Sequence, residues 1–260
     1  MPVVLKGGCR VTEMREGTPV SEGTVKIWQQ IGRSAGAFAI SLRILQFAPG
    51  LSDGLRNGEC DEVLYVLESG PGAEVLIDGS RHAIEPESGI YVRPGQTLAI
   101  ANPDPTPVIL VSSQCPEPTS PPKFVSAGSL SSAVGHSTDH APIIRLADRK
   151  AVQTGDRWYR ELVDEEVGSK QVTQFVGSIP PGRAPDHFHT YEEVLFILRG
   201  EGRMWADDTN TPIRPGSCIY LPRKQVHCVE NTGSDELRLL GVFYPAGSPS
   251  VRYETLNLEL

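Results

Sequence analysis

The sequence predicts an all-β protein built as two tandem barrels, and three observations carry that expectation. Short runs that alternate apolar and polar residues recur along the 260-residue chain, at 25–29, 38–47, 202–206 and 237–243, with Gly, Pro, Asn and Asp clusters between them. This is the pattern of strands joined by tight turns. No long segment keeps a helical period, and residues 149–154 have room for a short helical turn at most. Finally, the chain repeats itself, which speaks to architecture before it speaks to function.

The repeat can be followed element by element. Each half opens with a strand that ends in a Pro-Gly corner, Ala48-Pro49-Gly50 or Pro180-Pro181-Gly182. Cys60-Asp-Glu-Val-Leu-Tyr-Val-Leu-Glu-Ser-Gly70 is then echoed by Glu192-Glu-Val-Leu-Phe-Ile-Leu-Arg-Gly200. Gly89-Ile-Tyr-Val-Arg-Pro94 is echoed by Cys218-Ile-Tyr-Leu-Pro222, and Asn102 falls where Asn231 falls. The expected partition is an N-terminal barrel over residues 1–114, a connection over 115–141 and a C-terminal barrel over 142–260. The connection is rich in Pro, Ser, Gly and Ala and has no core of its own.

Composition narrows the function classes. A formal charge of -8 argues against non-specific nucleic-acid binding, which needs a basic surface. No apolar run is long enough for a membrane span, and the first ten residues lack the apolar core of a secretory signal. The five cysteines, Cys9, Cys60, Cys115, Cys218 and Cys228, are scattered and form no Cys-x-x-Cys pair. They read as reduced thiols, so a cytoplasmic location is expected. There is no phosphate loop, dinucleotide fingerprint or Gly-x-Ser-x-Gly elbow.

The stretch Asp186-His-Phe-His-Thr-Tyr-Glu-Glu193 is the most informative in the chain. It spaces His187, His189 and Glu193 evenly, and a strand sends every second side chain to the same face. Pro222-Arg-Lys-Gln-Val-His227 adds a third imidazole at the start of another strand-like run. Three imidazoles and one carboxylate suit one divalent transition metal, with iron, manganese, nickel, copper and zinc all chemically admissible. Such a shell leaves open positions on a six-coordinate ion, the mark of a catalytic site. The N-terminal copy keeps only the carboxylate. Aligning Glu62 with Glu193 puts Arg56 at His187 and Gly58 at His189, and Leu98 falls at His227. That barrel is expected to be metal-free, with Glu62 paired to Arg56 or facing solvent.

The spacings His-x-His-x3-Glu-x6-Gly, from His187 to Gly200, and Pro-x4-His-x3-Asn, from Pro222 to Asn231, resemble the two motifs of the cupin family. The resemblance implies two jelly-roll barrels, a bicupin, with His187, His189, Glu193 and His227 as ligands of one metal in the C-terminal barrel. It also implies a small-molecule substrate and, because many cupins with this ligand set are dioxygenases, oxygenase chemistry, with Glu193 also able to accept a proton. Isomerases, decarboxylases and cyclases share the shell. The architecture is also similar to ureidoglycine aminohydrolase, a bicupin whose ligands differ, and a non-catalytic ligand-binding role stands beside these. Bicupins often associate through sheet edges, so a homodimer is expected.

Alternation suggests what lines the cavity. Leu195 and Ile197 share the face of Glu193, whereas Asp186, Glu192 and Cys228 point the other way. Arg160, Gln174, Trp205 and Tyr220 are the nominated substrate contacts, with Phe175 and Tyr244 as further polar-tipped or aromatic candidates. His82, His136 and His140 have no ligand partner at motif spacing.

Overall fold

The computed structural model describes residues 1–130 and 141–250. His136 and His140 lie outside these residues, as does much of the expected connection. The described chain is two antiparallel β-sandwich barrels, and its only α-helix is the single turn Ala127–Leu130. Residues 149–154 contribute a short strand, Val152–Thr154, rather than a helical turn. The extended form lets this segment pair with Arg157–Val163 as the edge of a sheet. Among the described residues no helix is long and apolar enough to cross a membrane.

Each barrel has one large and one small sheet. In the N-terminal barrel the central strands of the large sheet are Ser88–Val92, Asp61–Glu68, Val108–Cys115 and Leu42–Phe47. The matching strands of the C-terminal barrel are Ser217–Leu221, Glu192–Arg199, Leu237–Tyr244 and Thr173–Ile179. The small C-terminal sheet orders Gly182–Arg183, His227–Asn231, Gly202–Ala206 and Thr209–Ile213. The two large sheets pack back to back. Ile44, Val63, Tyr65 and Val111 from one meet Val176, Val194, Phe196 and Val242 from the other in a shared core. Each barrel interior forms a separate core. The central strands are therefore buried on both faces, which is why residues 63–66 and 194–197 read as continuous apolar runs. Burying each such side chain contributes roughly 1.5–3 kcal/mol.

The leading strand of each repeat crosses to the other barrel. Arg10–Glu13 pairs with Ser217–Leu221 of the C-terminal barrel. Ile143–Arg145 pairs with Ser88–Val92 of the N-terminal barrel. The two acceptor strands are equivalent in the repeat, so the exchange is reciprocal. It covers one edge of each large sheet, where an open ladder would invite pairing with foreign strands. The division near residues 115–141 thus describes the order of the chain, while the sheets reach across it.

The repeated punctuation also has a structural reason. The Nδ2 of Asn102 donates to the Thr106 carbonyl at 2.9 Å, and the Nδ2 of Asn231 to the Asp235 carbonyl at 2.7 Å. Their Oδ1 atoms accept from Asp104 and Gly233 two residues on. Both asparagines staple the same turn. Gly200 has φ of 83°, and a Cβ there would stand 2.9 Å from Leu237 Cα. Only glycine fits that close approach in that conformation.

Candidate metal centre

The strand pairing around residue 187 assembles the site. His187 and His227 form an isolated antiparallel bridge. The His187 amide donates to the His227 carbonyl at 3.0 Å, and the His227 amide returns the bond at 2.8 Å. Their rings lie 4.4 Å apart, and the His189 ring is 5.0 Å from the first and 5.3 Å from the second. One ligand atom from each of the three lies within 4.8 Å of the others. Glu193, at the start of the strand beside Leu221 and Phe243, brings its Oε2 to 3.3 Å from His189 Nε2. The four residues nominated from sequence as ligands are therefore together inside the C-terminal barrel.

The donor set fits a metal ion. His227 Nδ1 is 2.8 Å from the Gln225 carbonyl and His187 Nδ1 is 3.0 Å from the Pro185 carbonyl. A carbonyl acceptor at those atoms favours the proton on Nδ1 and the lone pair on Nε2, the usual support of a metal-bound imidazole. His189 is 7% exposed and its Nδ1 has no hydrogen-bond partner. Burial, reinforced by the neighbouring His187, pushes His227 down to about 3, so it is neutral and ready to coordinate. Burial alone would raise the Glu193 carboxyl, but His189, His227 and His187 outweigh it and hold the group below its ordinary value. Three imidazoles around one buried carboxylate make a centre able to hold one divalent ion.

A cavity of about 130 Å³ opens onto these residues. Its wall is aromatic: Tyr191 stacks between His189 and Phe243, and Phe175 is wedged against Phe243 and Tyr159. Arg157 brings the cationic group, its Nε 3.2 Å from the exposed Asp156 carboxylate. Tyr191 was not among the residues nominated from sequence, although it has the same parity as His187, His189, Glu193 and Leu195 and the same alternation would have found it. Arg157 carried no such signal.

The four nominated substrate contacts face elsewhere. Arg160 Nη1 donates to the Leu146 carbonyl, and Tyr220 donates its hydroxyl proton to the Gly36 carbonyl. Gln174 is fully buried against Gly89 of the other barrel. Trp205 lies under Arg183 at 4.3 Å, on the outer side of the small sheet, and donates to Glu230. Arg160 and Gln174 neighbour Tyr159 and Phe175, which do line the cavity. A slip of one residue on a strand reverses the face, and strands buried on both sides give no pattern that sets the parity. Tyr244 pairs with Gln171, away from the cavity, while Phe175 does line it. Glu192 turns outward as expected, and its carboxylate accepts from the Phe38 and Ala39 amides of the N-terminal half. Cys228 also turns outward, toward Arg183.

In the N-terminal barrel Glu62 is buried and bound to Arg43 at 2.5 Å, not to Arg56 and not to solvent. Arg43 shares the barrel interior with Glu62, whereas Arg56 is exposed at the rim.

Comparison with known proteins places this architecture. Residues 175–243 match the family model described as Cupin domain. The Bacillus subtilis oxalate decarboxylase, in a structure concerned with its Mn(II) centres, superposes with a TM-score of 0.74 at 14% identity over 94% of this chain and 79% of that one. The C-terminal barrel thus carries the match to a cupin domain and a site able to hold a metal ion, and the chain as a whole shares the two-barrel fold of that structure. Among curated relatives it is 32% identical to auxin-binding protein 1 of Arabidopsis thaliana over 83 residues, 28% of this chain and 42% of that one. It is 35% identical to an oxalate-binding protein of Thermotoga maritima over 66 residues, 25% of this chain and 54% of that one. The chain thus spans about half the length of the curated relatives it matches.

Proposed function

We propose that this bicupin is a metal-dependent dioxygenase acting on a small organic molecule that chelates the ion through its oxygens. The observation that carries the reading is the make-up of the cavity. Apart from Glu193, the three imidazoles, Arg157, Thr154 and Ser178, the cavity is lined by aromatic, aliphatic and glycine residues. It offers no serine-histidine or cysteine-histidine pair for covalent chemistry. A volume of about 130 Å³ falls well below the roughly 300–1,000 Å³ of pockets for drug-sized ligands.

When bound, a divalent transition metal supplies Lewis acidity to the chelating substrate and a redox route to O2. The chain's own residues do the rest. His187, His189 and His227 would hold the ion at the inner end of the cavity. Glu193 takes the proton that an enol or catechol gives up on binding, since it is the one carboxylate at the centre. Tyr191, Phe243 and Phe175 exclude water, and Arg157 draws the substrate anion inward. Arg157 and the oxalate-binding relative favour a second reading, decarboxylation of a small carboxylic acid at the same centre.

The test is metal analysis of untagged protein, followed by O2 uptake with small enols, catechols, diketones and oxalate. Chelator-sensitive O2 consumption that is lost in His227→Ala supports the first reading. CO2 release from an acid without net O2 consumption moves the assignment to the second. Turnover indifferent to both chelation and His227→Ala discards the metal mechanism.

A further inference from the structure

The N-terminal barrel has a cavity of its own at the end equivalent to the metal centre, with a volume of about 760 Å³. Its lining includes Arg33, Arg43, Arg56 and Lys123 against Glu59 and Glu117. We propose that this cavity is a second ligand site, specific for a small hydroxycarboxylate, at the position where the other repeat carries its candidate metal centre.

The repeat shows how the two cavities differ. Matching the Pro-Gly corners puts Arg43 where Phe175 stands, and each faces a small residue across the ladder, Ser112 or Gly241. The aromatic wall of the metal cavity is therefore replaced by a guanidinium. Arg43 is 4% exposed. Its Nη2 donates to Glu62 at 2.5 Å and Ser112 at 3.0 Å, but its buried Nε has no partner. A buried donor left in this state costs about 1–3 kcal/mol unless a ligand satisfies it. Arg33, Arg56 and Lys123 make no ion pair among the described residues. Four cations around one cavity, three of them without a carboxylate, attract an anion, and the planar guanidinium fork suits a carboxylate.

The second half of the specificity comes from Glu117. It is 9% exposed, and its Oε2 is buried without a partner. Its Oε1 is already 3.5 Å from Gln29 Nε2. An acceptor so placed calls for a donor on the ligand, and a hydroxyl beside the carboxylate provides one. Desolvation lifts the Glu117 carboxyl to about 7, against a smaller opposing pull from Arg43, so the group takes or gives a hydrogen bond near neutrality. Asn57 and Gln114, joined at 3.3 Å, close the floor of the cavity.

The test uses the full chain and calorimetric titration with L-malate, succinate and inorganic phosphate. Malate is expected to bind, succinate about tenfold more weakly for want of the hydroxyl, a factor in line with one hydrogen bond to a charged group. The His187→Ala/His189→Ala variant should bind malate unchanged. Arg56→Ala/Lys123→Ala, both at exposed rim positions, should lose about tenfold or more. Glu117→Gln should bring malate and succinate closer together. Failure of malate to bind, loss of binding in the double-histidine variant, or indifference to the Arg56/Lys123 change overturns the proposal. Tighter binding of phosphate than of malate overturns the carboxylate specificity.

Discussion

The buried pair of the N-terminal barrel gives the sharpest energetic prediction. Arg43 and Glu62 are each 4% exposed and meet at 2.5 Å, with Ser112 Oγ 2.6 Å and Gln114 Nε2 3.4 Å from the same carboxylate. Arg43→Met leaves Glu62 charged, buried and held only by the neutral groups Ser112 and Gln114. Stranding one partner of such a pair costs about 3–5 kcal/mol. Arg43→Met/Glu62→Leu removes both charges and fills the volume with apolar atoms, an exchange that ranges from roughly neutral to about 1–4 kcal/mol stabilising. Ser112 and Gln114 then lose their acceptor, so the expected net change is near zero. Urea unfolding of the wild type, both single variants and the double variant completes the cycle. A cost below about 1 kcal/mol for Arg43→Met would refute the reasoning. A double variant as damaged as the singles would do the same.

Further predictions concern the two cavities. His187→Ala/His189→Ala should abolish metal binding, whereas Arg43→Met/Glu62→Leu should keep about one ion per chain by elemental analysis. Glu117 should make the protein less stable as pH rises. Its folded pKa of about 7 lies above the ordinary carboxyl value of 4.5, so the folded state holds the proton more tightly. Stability is then fully present below about 4.5 and is lost as pH climbs toward 7. After discounting for solvent access the loss is on the order of 1–2 kcal/mol. Glu117→Gln should flatten that slope in thermal unfolding between pH 4.5 and 7.5. Gly241→Ala would place a Cβ 2.2 Å from Phe175 Cζ. The ring must shift into the metal cavity, so overpacking costs about 1–3 kcal/mol and substrate turnover should fall while the metal stays bound.

The ligands were legible and the cavity wall was not, for one physical reason. His187, His189 and Glu193 are polar residues at even spacing, a pattern that stands out in the sequence and sets the parity directly. Gln174 and Tyr220 sit in strands buried on both faces, where either parity looks equally apolar. Arg157 and Glu117 stand out only through what surrounds them in space. The N-terminal pairing of Glu62 was missed because its partner, Arg43, lies on another strand, while Arg56 was closer along the sequence. The double barrel was legible because the repeat recurs in order. The crossing of Arg10–Glu13 and Ile143–Arg145 left no local mark, since a short alternating strand does not say which sheet it joins.

That crossing sets a timetable for synthesis. The first barrel emerges from the ribosome without Ile143–Arg145, the strand that completes its large sheet. Arg10 has to wait for Tyr220, its partner 210 residues later. At roughly 5–20 residues per second this is a delay of about 10–40 s. For that interval the strand stands idle and the outward face of the first large sheet, with Val63, Tyr65 and Val111, is bare. The nascent chain therefore carries its greatest aggregation risk midway through translation, and the risk ends only when the second large sheet is complete.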